Sequence, residues 1–128
     1  MNKPDLRTII SLLVVSGTVF HAVVDPVVAE DQEFDSSVGA ILVRRCTECH
    51  NGLDLKGGLD LLSKTAVEKG GDSGPTLEAG DLENSLLWQR IASDEMPPEH
   101  PIPQEEKAVL AKWISGGANW GTDPIDVF

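Results

Sequence analysis

The two cysteines of this chain lie three residues apart, in the pentapeptide Cys46-Thr47-Glu48-Cys49-His50. Side chains at i and i+3 of a helical turn project from the same face, and the histidine at i+4 follows on that face. Two thiols at this spacing can form thioethers with the two vinyl groups of one haem, while the imidazole reaches the iron. The motif therefore predicts a fold built around one covalently attached haem c, with Cys46 and Cys49 as attachment sites and His50 as an axial ligand.

Other sites also use paired cysteines. A redox-active dithiol normally follows a strand in a βαβ unit, and the sequence predicts no strand. A zinc site would need a fourth ligand, which His100 or a carboxylate would have to supply. A plain disulfide does not account for the histidine directly after Cys49. The haem interpretation is favoured, and the zinc and dithiol sites remain alternatives.

The candidates for a sixth ligand to the iron are Met96, His100 and several lysines. Met96 stands between Asp94-Glu95 and two prolines, which is a poor place for a core residue. The prolines stiffen the backbone and can hold the thioether sulfur at a fixed position. This favours Met96 over His100. A methionine ligand raises the haem potential relative to two histidines.

The N-terminal segment, residues 1–29, has the features of a signal peptide. Lys3 and Arg7 precede an apolar run, and small residues ending at Ala29 suit a signal peptidase. Cleavage there would leave a cytochrome-sized domain, residues 30–128. The alternative is an uncleaved membrane anchor, for which the apolar run is short. We expect export to the periplasm or the exterior, and no stable membrane insertion after cleavage.

The net charge is −11, and it is unchanged without residues 1–29, which hold two acids and two bases. Such a charge disfavours binding to nucleic acid or to an anionic membrane, and it suits a basic partner protein. Four acids are expected near the haem edge, where they would orient that partner; the alternative is that the charge only keeps the protein soluble. These acids are Glu48, Asp94, Glu95 and Glu99.

Apolar spacing predicts an all-α fold of three to four helices. The pattern indicates helices over 34–45, capped by Asp35 or Ser36, over 82–92, capped by Asp81, and from Pro103 to about 115. Residues 51–80 are rich in glycine and read as mostly loop, with one short helix near 64–69.

Six ordered pieces between residues 38 and 120 resemble the planctomycete-type cytochrome c domain, a relative of the class I cytochromes c. They are Cys46-Thr47-Glu48-Cys49-His50-Asn51-Gly52, Gly57-Gly58-Leu59-Asp60-Leu61, Gly70-Gly71-Asp72-Ser73-Gly74-Pro75, Gly80-Asp81 with Ser85-Leu86-Leu87, Met96-Pro97-Pro98, and Trp113 to Trp120. The resemblance implies a small helical fold around one haem, with His50 and Met96 as axial ligands.

The function expected from these features is electron transfer by a mono-haem cytochrome with no catalytic residues. If Met96 dissociates or never binds the iron, a ligand-binding haem protein or haem enzyme becomes the alternative. A third hypothesis is an accessory module that receives electrons from a larger secreted enzyme, because domains of the resembled kind often stand at the front of larger secreted proteins.

Overall fold

A computed structural model describes residues 26–127 of the chain. Its secondary structure is helical, and within residues 26–127 the only β pairings are isolated bridges. The first helical body comprises α1, a π-helical segment and α2, which follow one another without a break; three separate helices, α3 to α5, come after it. The bounds are α1 (Pro26–Phe34), the π segment (Asp35–Gly39), α2 (Ala40–Arg45), α3 (Lys64–Lys69), α4 (Leu86–Ala92) and α5 (Gln104–Ser115). The predicted all-α fold with three to four helices is confirmed.

The first helical body begins eight residues before its predicted start at residue 34. Asp35 and Ser36 lie inside it, and no side chain of residues 26–127 caps the π segment. The Ser36 hydroxyl donates to the Gln32 carbonyl at 2.8 Å, one turn earlier, so it is satisfied within a continuing helix. The predicted caps were therefore wrong. Residues 1–25 of the predicted leader lie outside the described residues, and cleavage after Ala29 stays a prediction.

The helix predicted over 82–92 is shorter, because α4 begins at Leu86 with Ser85 at its N-cap. The Asp81 carboxylate instead accepts from the backbone N–H of Asn84 at 3.2 Å and from its side-chain amide at 2.7 Å. Its acceptor oxygens thus stabilise a turn that precedes the helix. The helices near 64–69 and after Pro103 are confirmed, with Pro103 at the N-cap of α5 rather than in its first turn.

The hydrophobic core forms where α2, α4 and α5 converge. Leu42, Ile91 and Leu110 are at most 1% exposed and belong to one cluster. Burying a side chain of this size stabilises the fold by about 1.5–3 kcal/mol. None of the helices within residues 26–127 has the length and hydropathy needed to cross a bilayer.

An aromatic cluster joins the first helical body to the C-terminal segment. The ring centroids of Phe34 and Trp120 are 4.8 Å apart, and Trp113 lies 5.9 Å from Phe34. Trp113 donates its indole N–H to the Asn119 carbonyl at 2.6 Å. This cluster fixes the chain after α5 against the start of the domain.

Candidate haem-binding site

One cavity brings together all four residues predicted to hold the cofactor, since Cys46, Cys49, His50 and Met96 all line it. Its volume is about 320 Å³, within the range usual for ligand sites. Most of its remaining wall is apolar. The apolar side chains are Leu59, Leu61, Leu86, Leu87, Ile91, Pro97 and Ile102.

The attachment motif forms a helical turn directly after α2. The backbone N–H groups of Cys46 and Thr47 both donate to the Leu42 carbonyl, at 2.8 and 3.1 Å. Those of Cys49 and His50 both donate to the Cys46 carbonyl, at 3.1 and 3.0 Å. Leu42 is 1% exposed, so the core holds the turn in place, and the spacing argument from the sequence is consistent with the observed geometry.

The two cysteines are free thiols in different surroundings. Burial raises the pKa of the Cys46 thiol to about 12, although the neighbouring Arg45 opposes the shift. The Lys56 ammonium donates to the Cys49 sulfur at 3.5 Å, and this hydrogen bond raises the pKa of Lys56. The Cys46 thiol is therefore the more sheltered of the two predicted attachment sites, and the Cys49 sulfur faces the Lys56 ammonium.

His50 provides the main test of whether a haem fits this cavity. Its Nδ1 is buried and has no hydrogen-bond partner within the described part of the chain. Leaving such a nitrogen unsatisfied costs about 1–3 kcal/mol unless another group bonds to that nitrogen. Iron binds neutral imidazole readily. An unsatisfied imidazole beside two thiols and apolar walls fits a covalently held haem.

Thr76 is a cavity residue that sequence reasoning missed. Thr76 is 4% exposed and lines the cavity, and its hydroxyl, like the His50 nitrogen, is buried with no hydrogen-bond partner among residues 26–127. The backbone carbonyl of Thr76 accepts from the Leu87 N–H at 2.8 Å, which ties the loop before α4 to that helix. Nothing in the local sequence marks this threonine, because its burial depends on the distant attachment motif and on α4.

The structure brings Met96 to the cavity but not His100. The backbone N–H of Met96 donates to the Arg90 carbonyl at 3.0 Å, so the C-terminal end of α4 fixes its position. Its side chain is 37% exposed. His100 is exposed and does not line the cavity. The geometry favours Met96 as the sequence did, and ligation itself stays a prediction.

Three basic side chains also line the cavity: Arg45, Lys56 and Arg90. The Arg45 guanidinium donates to the Glu106 carboxylate at 2.9 Å, and this hydrogen bond lowers the pKa of Glu106. Arg45 was not predicted as a site residue, although its position directly before Cys46 is a sequence signal for one. Cations at this position would suit the two carboxylates that a haem carries, although Arg45 already binds Glu106 and Arg90 binds Glu95.

Two of the four acids expected to orient a partner are engaged within the chain. Asp94 accepts from Lys107 at 2.5 Å, and Glu95 pairs with Arg90. Glu48 and Glu99 are exposed. The acidic character of this face is therefore weaker than a count of residues indicates.

Within the described part of the chain, no group of three or more His, Cys, Asp or Glu side chains is arranged to hold a metal ion. The zinc alternative therefore finds no ligand group in residues 26–127. Trp88, Trp113 and Trp120 do not line the cavity; all three pack against the hydrophobic core.

A helical domain in which a Cys-x-x-Cys-His motif and a methionine line one apolar cavity has the features of a c-type cytochrome. Residues 46–100 match the family model described as Planctomycete cytochrome C. The match implies haem c as the cofactor. It ends before α5, so the resemblance of residues 113–120 rests on the sequence alone. No curated protein and no solved structure matches the chain.

Proposed function

We propose that the protein is an exported mono-haem c-type cytochrome that carries electrons. Cys46 and Cys49 would hold the haem through thioethers, and His50 and Met96 would be its axial ligands. The observation that carries this proposal is the convergence of these four side chains on one apolar cavity. The family match of residues 46–100 supports it independently.

The bound haem would supply a one-electron change at its iron, and the chain's residues would decide what that change is used for. With His50 and Met96 on the iron, no open position remains for a substrate, which favours a carrier over an enzyme. A thioether ligand favours the ferrous state and raises the potential. The apolar side chains around the cavity limit the access of water to the site.

Ligand substitution in the holo-protein tests this proposal. Met96→Ala should lower the reduction potential and open a position that carbon monoxide binds. His100→Ala is the matched control, because His100 is exposed and outside the cavity, and it should leave both properties unchanged. The opposite pattern would make His100 the ligand and would overturn the assignment of Met96.

A ligand-binding haem protein is the second candidate, and the exposure of Met96 favours it. A side chain that is 37% exposed can leave the cavity with little rearrangement of the core. Carbon monoxide binding to the wild-type ferrous protein separates the two functions. Tight and rapid binding would support the sensor or enzyme, and weak or slow binding would support the carrier.

Export and a basic partner complete the proposal. Thioether formation in c-type cytochromes takes place outside the cytoplasm, and mass analysis of the exported protein should give Glu30 as its first residue.

Electron transfer to a basic redox protein should slow as salt is added, because the charge of −11 steers the encounter with that protein. An acidic redox protein of similar potential is the control, and rates that ignore salt with both would contradict a recognition role. If the protein is an accessory module, a larger secreted enzyme should co-purify with it.

A further inference from the structure

Lys107 is a buried lysine in α5. Its residue is 4% exposed, although lysine is almost never fully buried unless it is paired. Its ammonium donates to the Asp94 carboxylate at 2.5 Å. Asp94 is two residues before Met96 and is itself exposed. The charged group of Lys107 therefore lies inside the domain and contacts the segment that carries the predicted ligand.

The other anchors of this segment come from α4. The backbone N–H groups of Glu95 and Met96 both donate to the Arg90 carbonyl, at 2.9 and 3.0 Å, and the Asp94 N–H donates to the Ile91 carbonyl at 3.2 Å. Arg90 and Glu95 also form an ion pair. The contact between Lys107 and Asp94 adds a second helix, so that α4 and α5 both hold the segment.

Packing of Met96 alone is a weak constraint on where its sulfur lies. Its side chain is 37% exposed, and Ala92 to Glu95 before it are also exposed. Asp94 adopts a backbone φ of 59°, in the left-handed region, which a carboxylate side chain tolerates better than most. The ion pair of Asp94 with the buried Lys107 ammonium fixes the direction in which the chain leaves α4.

We propose that Lys107 is a positioning residue for Met96: its ion pair with Asp94 holds residues 94–96 between α4 and α5 and keeps the methionine thioether at the cavity. This inference rests on the proposed function, in which Met96 is an axial ligand. Lys107 would act through Asp94 and the backbone, because it is not among the residues that line the cavity.

The test uses holo-protein carrying Lys107→Met, Lys107→Arg or Asp94→Asn. Lys107→Met keeps an apolar stem without the charge, and Asp94→Asn removes the charge at an exposed site where asparagine tolerates the same φ. Lys112→Met is the matched control, since Lys112 is an exposed lysine of the same helix. Each variant is examined for the absorption band of methionine-ligated ferric haem, for the rate of carbon monoxide binding and for the midpoint of denaturant unfolding.

Lys107→Met and Asp94→Asn should weaken the methionine band and speed carbon monoxide binding by about tenfold, since a larger share of molecules would have the methionine displaced. Lys107→Arg should restore most of both signals, and Lys112→Met should match wild type. A purely structural role for Lys107 would lower the unfolding midpoint and leave the band and the binding rate unchanged, which would overturn the proposal. If Lys107→Met does not fold, Asp94→Asn decides.

If instead the proposed function is wrong, Met96→Ala itself would leave the absorption band and the rate of carbon monoxide binding as they are in wild type. A change on Met96→Ala with none on Lys107→Met or Asp94→Asn would keep the ligand and reject the positioning role.

Discussion

Replacing Ser85 with alanine should destabilise the domain although it removes a single oxygen atom. Ser85 is 0% exposed, and its hydroxyl lies near three backbone groups. It accepts from the Glu78 N–H at 3.0 Å, and its one proton can go either to the Asp81 carbonyl at 2.7 Å or to the Glu78 carbonyl at 3.1 Å. Two hydrogen bonds are thus lost, at about 0.5–1.5 kcal/mol each, which gives a loss of about 1–3 kcal/mol.

Urea unfolding of the holo-protein, followed by tryptophan emission, measures this loss. With a slope of about 1–3 kcal/mol per molar urea, the midpoint should fall by roughly 1 M. Ser93→Ala is the matched control, because the Ser93 hydroxyl also donates to a backbone carbonyl, that of Gln89 at 2.8 Å, but is exposed. If Ser85→Ala and Ser93→Ala lower the free energy of unfolding equally, the buried Ser85 hydrogen bonds do not stabilise the turn before α4 more than an exposed one would.

Two further substitutions test the frame of the cavity. Glu106→Gln should lower the free energy of unfolding at neutral pH. The difference from wild type should shrink as the pH falls to about 3, because the Arg45 hydrogen bond lowers the pKa of Glu106 and protonation of this carboxylate removes its contribution to stability. A difference in urea midpoint that stays constant over this pH range would contradict this. Gly71→Ala should cost about 1–3 kcal/mol, since its Cβ would lie 2.6 Å from the Gly57 carbonyl oxygen. Gly52→Ala, whose Cβ would meet nothing closer than 3.5 Å, should cost clearly less when unfolded in the same way.

Covalent chemistry made the attachment side of the site predictable from the sequence. Thioether formation to one haem would require the spacing of Cys46, Cys49 and His50, so the motif predicted which side chains meet. Met96 was predictable for a related reason, because two prolines after an apolar residue between charges are hard to explain by packing. The short helix near 64–69 and the helix after Pro103 followed from local signals.

Other features depend on contacts between residues that are far apart in the sequence, and no local spacing pattern predicts such contacts. The pairs between Lys107 and Asp94 and between Arg45 and Glu106 join residues 13 and 61 positions apart. Helix starts failed for a different reason. Asp81 has the side chain of a cap, but the turn with Asn84 competes for the same carboxylate oxygens.

Glu106 and Lys107 are adjacent in α5, and they bind different parts of the chain: Glu106 binds Arg45, directly before Cys46, and Lys107 binds Asp94, two residues before Met96. A displacement of α5 would therefore move both anchors together, and the separation between the two segments that carry the predicted ligands would change little. For the proposed electron carrier, the consequence concerns reorganisation energy. If the distances between the iron and its ligands are the same in both oxidation states, little nuclear rearrangement is needed at each electron transfer. Contacts of both segments with one helix, α5, would favour constant distances.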